Sequence, residues 1–147
     1  MADVTHFSKK GFFMSKVIPT NEEYIYEGKV AISQTDLNDN ITFVNRKFCE
    51  ISGYSSEELI NSSHSIVKHP DMPHEIFVKM HQALKSGQVW NGLLKNMRKD
   101  GSFYWVNSEI VPIHDNQGEI SGYISVSKPV PRKNIEEYNI NQTNKTV

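Results

Sequence analysis

Ile120, Gly122, Ile124 and Val126 fall on every second position after the turn Asn116-Gln117-Gly118, the period of a strand with one buried face. Two strand patterns precede it. Val89 to Arg98 runs into Asp100-Gly101, a strong hairpin signal, and Ser102 to Ile113 follows, long and rich in aromatics. Upstream the period changes: Ile76, Phe77, Met80, Ala83 and Leu84 recur at helical spacing. This longer helix follows Pro70, with Asp71 expected as its N-cap, Pro73 in its first turn and Gly87 as its stop. Asn45 stands at a cap position before Phe48, Ile51 and a terminating Gly53. Ser55-Ser56-Glu57-Glu58 opens another short helix, its acids complementing the dipole. Val30-Ala31-Ile32 and Ile41-Thr42-Phe43-Val44 are short strands joined through Asn38-Asp39-Asn40.

Two strands, short helices, one longer helix and three successive strands predict an α+β domain with a five-stranded antiparallel sheet. The helices are the available cover for one sheet face, and the space between is a natural small-molecule pocket. Within Ser102 to Ile113, Phe103 and Trp105 share one face while Tyr104 and Val106 share the other, so both faces are partly apolar. The outer face is therefore expected to bury something: the N-terminal segment, a second copy or a partner.

The domain spans Lys29 to Lys128. Residues 1–28 form a flanking segment containing the apolar knot Phe12-Phe13-Met14, and Asn21 to Glu27 reads as a short helix or an extended arm. Residues 129–147 lack apolar periodicity and are expected to form a flexible tail. The 147 residues suit one domain, and the 37% apolar and 22% charged shares are those of a globular chain. A net charge of -1 gives no overall pull toward nucleic acid or an anionic membrane. No apolar run approaches the roughly 20 residues of a membrane helix, and the start lacks a signal-peptide core. The expectation is a soluble, cytoplasmic protein. The lone cysteine, Cys49, cannot form an internal disulfide and reads as a core residue of a short helix.

Two segments carry a resemblance. One is His64-Ser65-Ile66-Val67-Lys68-His69-Pro70-Asp71-Met72-Pro73; the other is Trp90-Asn91-Gly92-Leu93-Leu94-Lys95-Asn96, continuing through Arg98-Lys99-Asp100-Gly101 to Tyr104-Trp105-Val106-Asn107. In this order they resemble the flavin-binding PAS domains of bacterial aerotaxis transducers. The resemblance covers about Lys29 to Lys128. It implies a sensor that holds FAD noncovalently in the helix–sheet pocket and responds to redox state. By position Lys68, His69 and Asp71 match binding-loop residues, His64 a histidine of that loop, Trp90 a tryptophan opening the next strand, and Asn96 a polar residue on it. Asn45 joins them as a candidate contact. Two positions depart from the pattern: Lys68 stands where an arginine is usual, and His81 where a tryptophan late in the long helix is associated with flavin retention. The family's transducers continue into a membrane anchor and a signalling region, so this chain resembles the PAS-only half of a bipartite energy-taxis sensor. Its expected partner is a membrane chemoreceptor or other signalling protein, and a homodimer is open.

Several residues carry more than one reading. Asp71 suits both capping and ligand contact. His69, before a proline and so extended, could face the pocket or bond the backbone. Asn96 could face the pocket, where an amide can donate to or accept from a flavin nitrogen, or sit on the hairpin surface. Lys95, Arg98 and Lys99 suit a solvated turn or attraction of a pyrophosphate. His81 reads as a half-buried helix histidine, as a flavin-stacking or hydrogen-bonding group, or, with His74 on the same helix, as a candidate ligand for haem, the alternative cofactor; a cofactor-free dimerisation or adaptor module is the third reading. His64, His69, Asp71 and His74 are clustered, but in no standard zinc spacing. The absence of a nucleophile–base signature, paired carboxylates or a phosphate loop points away from an enzyme.

Overall fold

The computed structural model describes residues 5–7 and 13–145. Two short strands, β1 (Thr5–Phe7) and β2 (Phe13–Ser15), pair with each other. Phe12 lies outside the described residues. The other strands are β3 (Ala31–Asp36), β4 (Ile41–Val44), β5 (Trp90–Met97), β6 (Phe103–His114) and β7 (Ile120–Lys128). They form one sheet in the order β4-β3-β7-β6-β5, every neighbour antiparallel. The α+β expectation holds.

Between β4 and β5 lie α1 (Arg46–Ser52), α2 (Ser56–Leu59), a 3-10 turn (His64–Val67) and α3 (His74–Lys85). Local chemistry explains the short ones. Asn45 caps α1 by accepting from Phe48 N–H, and Gly53 closes it in the left-handed region at φ 77°. Ser55 and Glu58 form a reciprocal capping box on α2. Phe48, Ile51, Leu59, Ile66, Val67, Met80 and Leu84 from these helices meet Ala31, Ile41, Leu94, Tyr104 and Val106 of the sheet in one buried cluster. Fully burying one such apolar side chain is worth about 1.5–3 kcal/mol.

The start of α3 differs from expectation. Its N-cap position is Pro73, which makes no side-chain cap bond, and Asp71 lies two residues outside. Residues 69–72 form a turn closed by Met72 N–H donating to His69 O (3.2 Å), contacts of Lys68 and Met72 to β5 fix it, and this tertiary pull displaces the local capping preference.

Residues 16–27 of the N-terminal flank run as an extended arm. Thr20 N–H donates to Gly101 O (2.9 Å), Phe103 N–H to Glu22 O (3.0 Å) and Tyr24 N–H to Phe103 O (2.7 Å). Strand β7 pairs with β6 only from Asn107 onward, so the arm takes the place beside Phe103. Gly101 permits this approach: its φ is +92°, and a Cβ there would collide with the Ile18 carbonyl. Tyr26 fastens the arm's end, its hydroxyl 2.6 Å from Lys29 O and 2.9 Å from Ser127 O.

The C-terminal segment is not a structureless tail. Arg132–Lys145 forms α4. Ile135 is buried, Tyr138 meets Trp105 edge-on at 5.4 Å, and Arg132 pairs with Glu23 of the arm at 2.8 Å. The cover over Trp105 is thus this helix, an occupant the sequence reading did not include. Two apolar residues suffice because they dock on an existing surface, and tertiary packing supplies most helical stability in folded proteins.

Candidate functional site

Strand β5 is a sheet edge, and its open side needs cover. The segment after the 3-10 turn provides it. Lys68 and Asn96 form an antiparallel bridge, and Lys95 N–H donates to Met72 Sδ at 3.4 Å. Asp71 reaches Lys95 Nζ at 3.1 Å, and Lys95 lies 4.5 Å from the Phe103 ring centroid. His69 is buried, its Nδ1 accepting from Asp71 N–H (3.0 Å) and its ring edge-on to Phe103 at 6.4 Å. Burial, then the Lys95 charge, push its imidazole pKa down, with Asp71 opposing, so it is neutral near pH 7. The side chains of His69 and Asp71 therefore engage residues on the Phe103 side of the sheet. They hold the loop in place; its link toward the helix side is the Lys68–Asn96 bridge.

The helix-facing side of β5 and β6 carries a different set. Asn96 is the cross-strand partner of Tyr104, as Leu94 is of Val106, and these pairs share the core face. Asn96 thus sits on the side that packs against the helices. Trp90 lies on the same face, packed against the core. A Cβ on Gly92 would come within 2.7 Å of the Trp90 ring, so the glycine makes room for the indole. His64 contacts Ser33 of β3 (Nε2 to Oγ, 3.0 Å) and meets Phe48 edge-on at 5.7 Å. Burial pushes its pKa down despite Asp39, leaving a neutral imidazole.

Asn45 is engaged elsewhere. Its Oδ1 accepts from Ile32 N–H (3.0 Å) and Phe48 N–H (3.0 Å), and its Nδ2 donates to Val30 O (3.1 Å). The amide thus ties β3 to α1. His81 and His74 are both exposed on α3, away from the buried stripe of Met80 and Leu84. Arg98 donates to Ile51 O (2.9 Å) and Glu50 O (3.1 Å) while lying 4.1 Å from the Tyr24 ring centroid, and Lys99 pairs with Glu58 at 2.6 Å. With Lys95 on Asp71, these three cations clamp the turn to its neighbours. Cys49 packs against the core in α1, its thiol pKa raised by burial and by Glu57.

A cleft of about 430 Å³ opens beside the loop, lined in part by Lys16, Tyr54, Ile66, Lys68 and Met97. Lys68 is exposed at its wall, with Nζ 4.2 Å from the Phe77 ring centroid. Tyr54 is buried, its pKa pushed up to about 12 by burial and by Glu58. Among the described residues, two buried side-chain polar atoms lack a hydrogen-bond partner, Asn40 Oδ1 and the Tyr104 hydroxyl. Such a group costs about 1–3 kcal/mol when left unmet. Sequence reasoning placed Tyr104 correctly with Val106 but gave it no role beyond packing. Nothing in the sequence signals an unmet hydroxyl; Tyr54 was missed because its position depends on how the loop folds. Among the described residues no group of three His, Cys, Asp or Glu could hold a metal ion, and no helix is long and apolar enough to cross a membrane.

Comparison with known proteins supplies the context. A family model described as PAS fold matches residues 41–127. The aerotaxis receptor of Escherichia coli (strain K12) is 45% identical over 95 residues, covering 65% of this chain and 19% of that protein. The nitrogen fixation regulatory protein of Klebsiella pneumoniae is 36% identical over 106 residues, 72% of this chain and 21% of that one. The chain thus spans about a fifth of the length of both relatives. A crystal structure of a PAS domain from Colwellia psychrerythraea superimposes with a TM-score of 0.64 at 26% identity, covering 69% of this chain and 86% of that one.

Proposed function

The chain belongs to the PAS-fold family, and within it we propose a cytoplasmic redox-sensing module that holds FAD noncovalently between helices and sheet and signals to a partner protein. The sensor unit is residues 29–128, with the arm and α4 as attached flanks. The likeness to an aerotaxis receptor supports energy taxis as the setting and a membrane chemoreceptor as the partner.

The observation that carries the reading is the position of Asn96. Its side chain lies on the core face, while its backbone bridges Lys68 in the loop. One residue therefore joins the core face of the sheet to the loop that closes the sheet edge. The residues fit a flat heteroaromatic ligand with a polar rim: the Asn96 amide, the neutral His64 and the unmet Tyr104 hydroxyl offer hydrogen bonds, and Trp90 offers an aromatic wall. Lys68, which lines the cleft, would meet an anionic diphosphate with one charge and no planar fork. Bound flavin would supply reversible electron transfer with a change in which ring atoms carry protons. Asn96 can answer such a change by reversing its amide, since it can donate or accept. Signalling requires the two flavin states to bind two protein conformations with different affinity, typically by 1–3 kcal/mol. No reaction is assigned to the chain. His69 and Asp71 act as positioning residues, holding the loop against Phe103 and Lys95.

The test is an FAD titration followed by flavin fluorescence. Wild type should saturate, Asn96→Ala should bind about tenfold more weakly, the worth of one hydrogen bond, and Lys133→Ala on exposed α4 should match wild type. Unsaturable binding by wild type, or an Asn96→Ala affinity equal to wild type, would reject the reading.

A further inference from the structure

The Tyr104 side chain is fully buried at 0% exposure, yet its hydroxyl has no hydrogen-bond partner. Most buried hydroxyls in folded proteins are satisfied, so an exception asks for an explanation. Tyr104 is not a filler of an otherwise apolar corner. It stands opposite Asn96 across the β5–β6 ladder, on the face that packs against the helices. Two polar groups thus lie side by side on the core face, one from each strand. On the other face of β6 the next residue, Trp105, receives Tyr138 of α4. Burial disfavours the phenolate, with the neighbouring Asn96 amide acting the other way, so the group is a neutral phenol that keeps its proton.

We propose that the Tyr104 hydroxyl is a ligand-binding group, donating a hydrogen bond to an acceptor atom, a carbonyl oxygen or ring nitrogen, on the polar rim of the bound heteroaromatic ring. Resting on the flavin reading above, this makes Tyr104 and Asn96 a paired recognition element. Asn96 and the phenol can each donate or accept, and the proposed contact uses the phenol's proton. Its neighbour Trp105 places that contact one residue from the side chain that α4 covers.

The experiment compares wild type with Tyr104→Phe, which keeps the ring and removes the hydroxyl. FAD affinity is read by flavin fluorescence, and the hydrogen-bonding environment by the visible absorption bands of the bound flavin. The expected result is about tenfold weaker binding with shifted bands, while the ligand-free variant is at least as resistant to urea as wild type. Equal affinity and identical bands, with wild type binding FAD, would overturn this inference alone and leave the flavin reading standing. Absence of FAD binding by wild type would overturn both. Should Tyr104→Phe fail to fold, 3-fluorotyrosine placed at position 104 gives a second reading. Its fluorine resonance should shift on addition of FAD, and an unmoved resonance would overturn the proposal.

Discussion

Replacing Asn45 by alanine tests whether this residue ties the fold together or contacts the ligand. The substitution removes three bonds at once: the cap to Phe48 N–H, the bond from Ile32 N–H and the bond to Val30 O, each 3.0–3.1 Å. Loss of an N-cap costs about 1 kcal/mol. Each of the other two bonds adds about 1 kcal/mol, because a partner in a half-buried strand loses its mate. The sum is about 3 kcal/mol, a large fraction of a domain's stability. At a urea slope of about 2 kcal/mol per M the midpoint should fall by about 1.5 M. Asn45→Asp keeps both acceptor roles and loses only the donor to Val30 O, so its midpoint should fall by about a third as much. The assay is urea unfolding of the ligand-free protein, followed by far-ultraviolet circular dichroism and tryptophan fluorescence together. FAD affinity, measured under conditions where each variant is folded, should equal that of wild type. A midpoint loss under about 0.3 M for Asn45→Ala, or a selective loss of FAD affinity with stability intact, would refute the reasoning.

Three other outcomes follow from the same geometry. Tyr138→Ala removes the edge-on contact with Trp105, worth about 0.5–1.5 kcal/mol beyond its buried area; hydrogen exchange over residues 132–145 should speed up while the core strands keep their protection, and unchanged exchange would show that α4 does not depend on the contact. His64 and His69 have pKa values lowered in the fold by burial. Their stabilisation is complete above the unfolded histidine value of about 6.5 and is lost as pH falls from there through the folded values; the urea midpoint should drop between pH 7.5 and pH 5.5, and a double substitution, His64→Gln with His69→Gln, should flatten that dependence. Gly92→Ala drives a Cβ into the Trp90 ring, 2.7 Å away, so tryptophan emission should shift and FAD affinity should fall, whereas an unaltered spectrum would mean the ring turns aside freely.

The core of the fold was legible because its signals are local. Alternation in β7, the Asp100-Gly101 turn and the Ser55–Glu58 box each act within a few residues. What escaped depends on distant partners. Asp71 has the chemistry of a cap, but Lys95, 24 residues away, claims its carboxylate. The C-terminal helix has too few apolar residues to announce itself; Ile135 and Tyr138 matter because a sheet face awaits them. For the candidate site, the sequence named residues and left their directions open. Strand period puts Asn96 opposite Lys95, but only the assembled sheet says that Asn96 faces the helices while His69 and Asp71 engage Phe103 and Lys95. His81, at the margin of the helical stripe by spacing, turned out exposed because a small rotation decides which side of such a margin is covered.

The most direct test is the visible absorption spectrum of the freshly purified protein, with the chromophore then released by denaturation and identified by mass. The account predicts the two-banded spectrum of oxidised flavin, bleached by dithionite and restored by air, with FAD released intact. A colourless protein that stays colourless after incubation with FAD, or one whose spectrum shows the Soret band of haem, would contradict it.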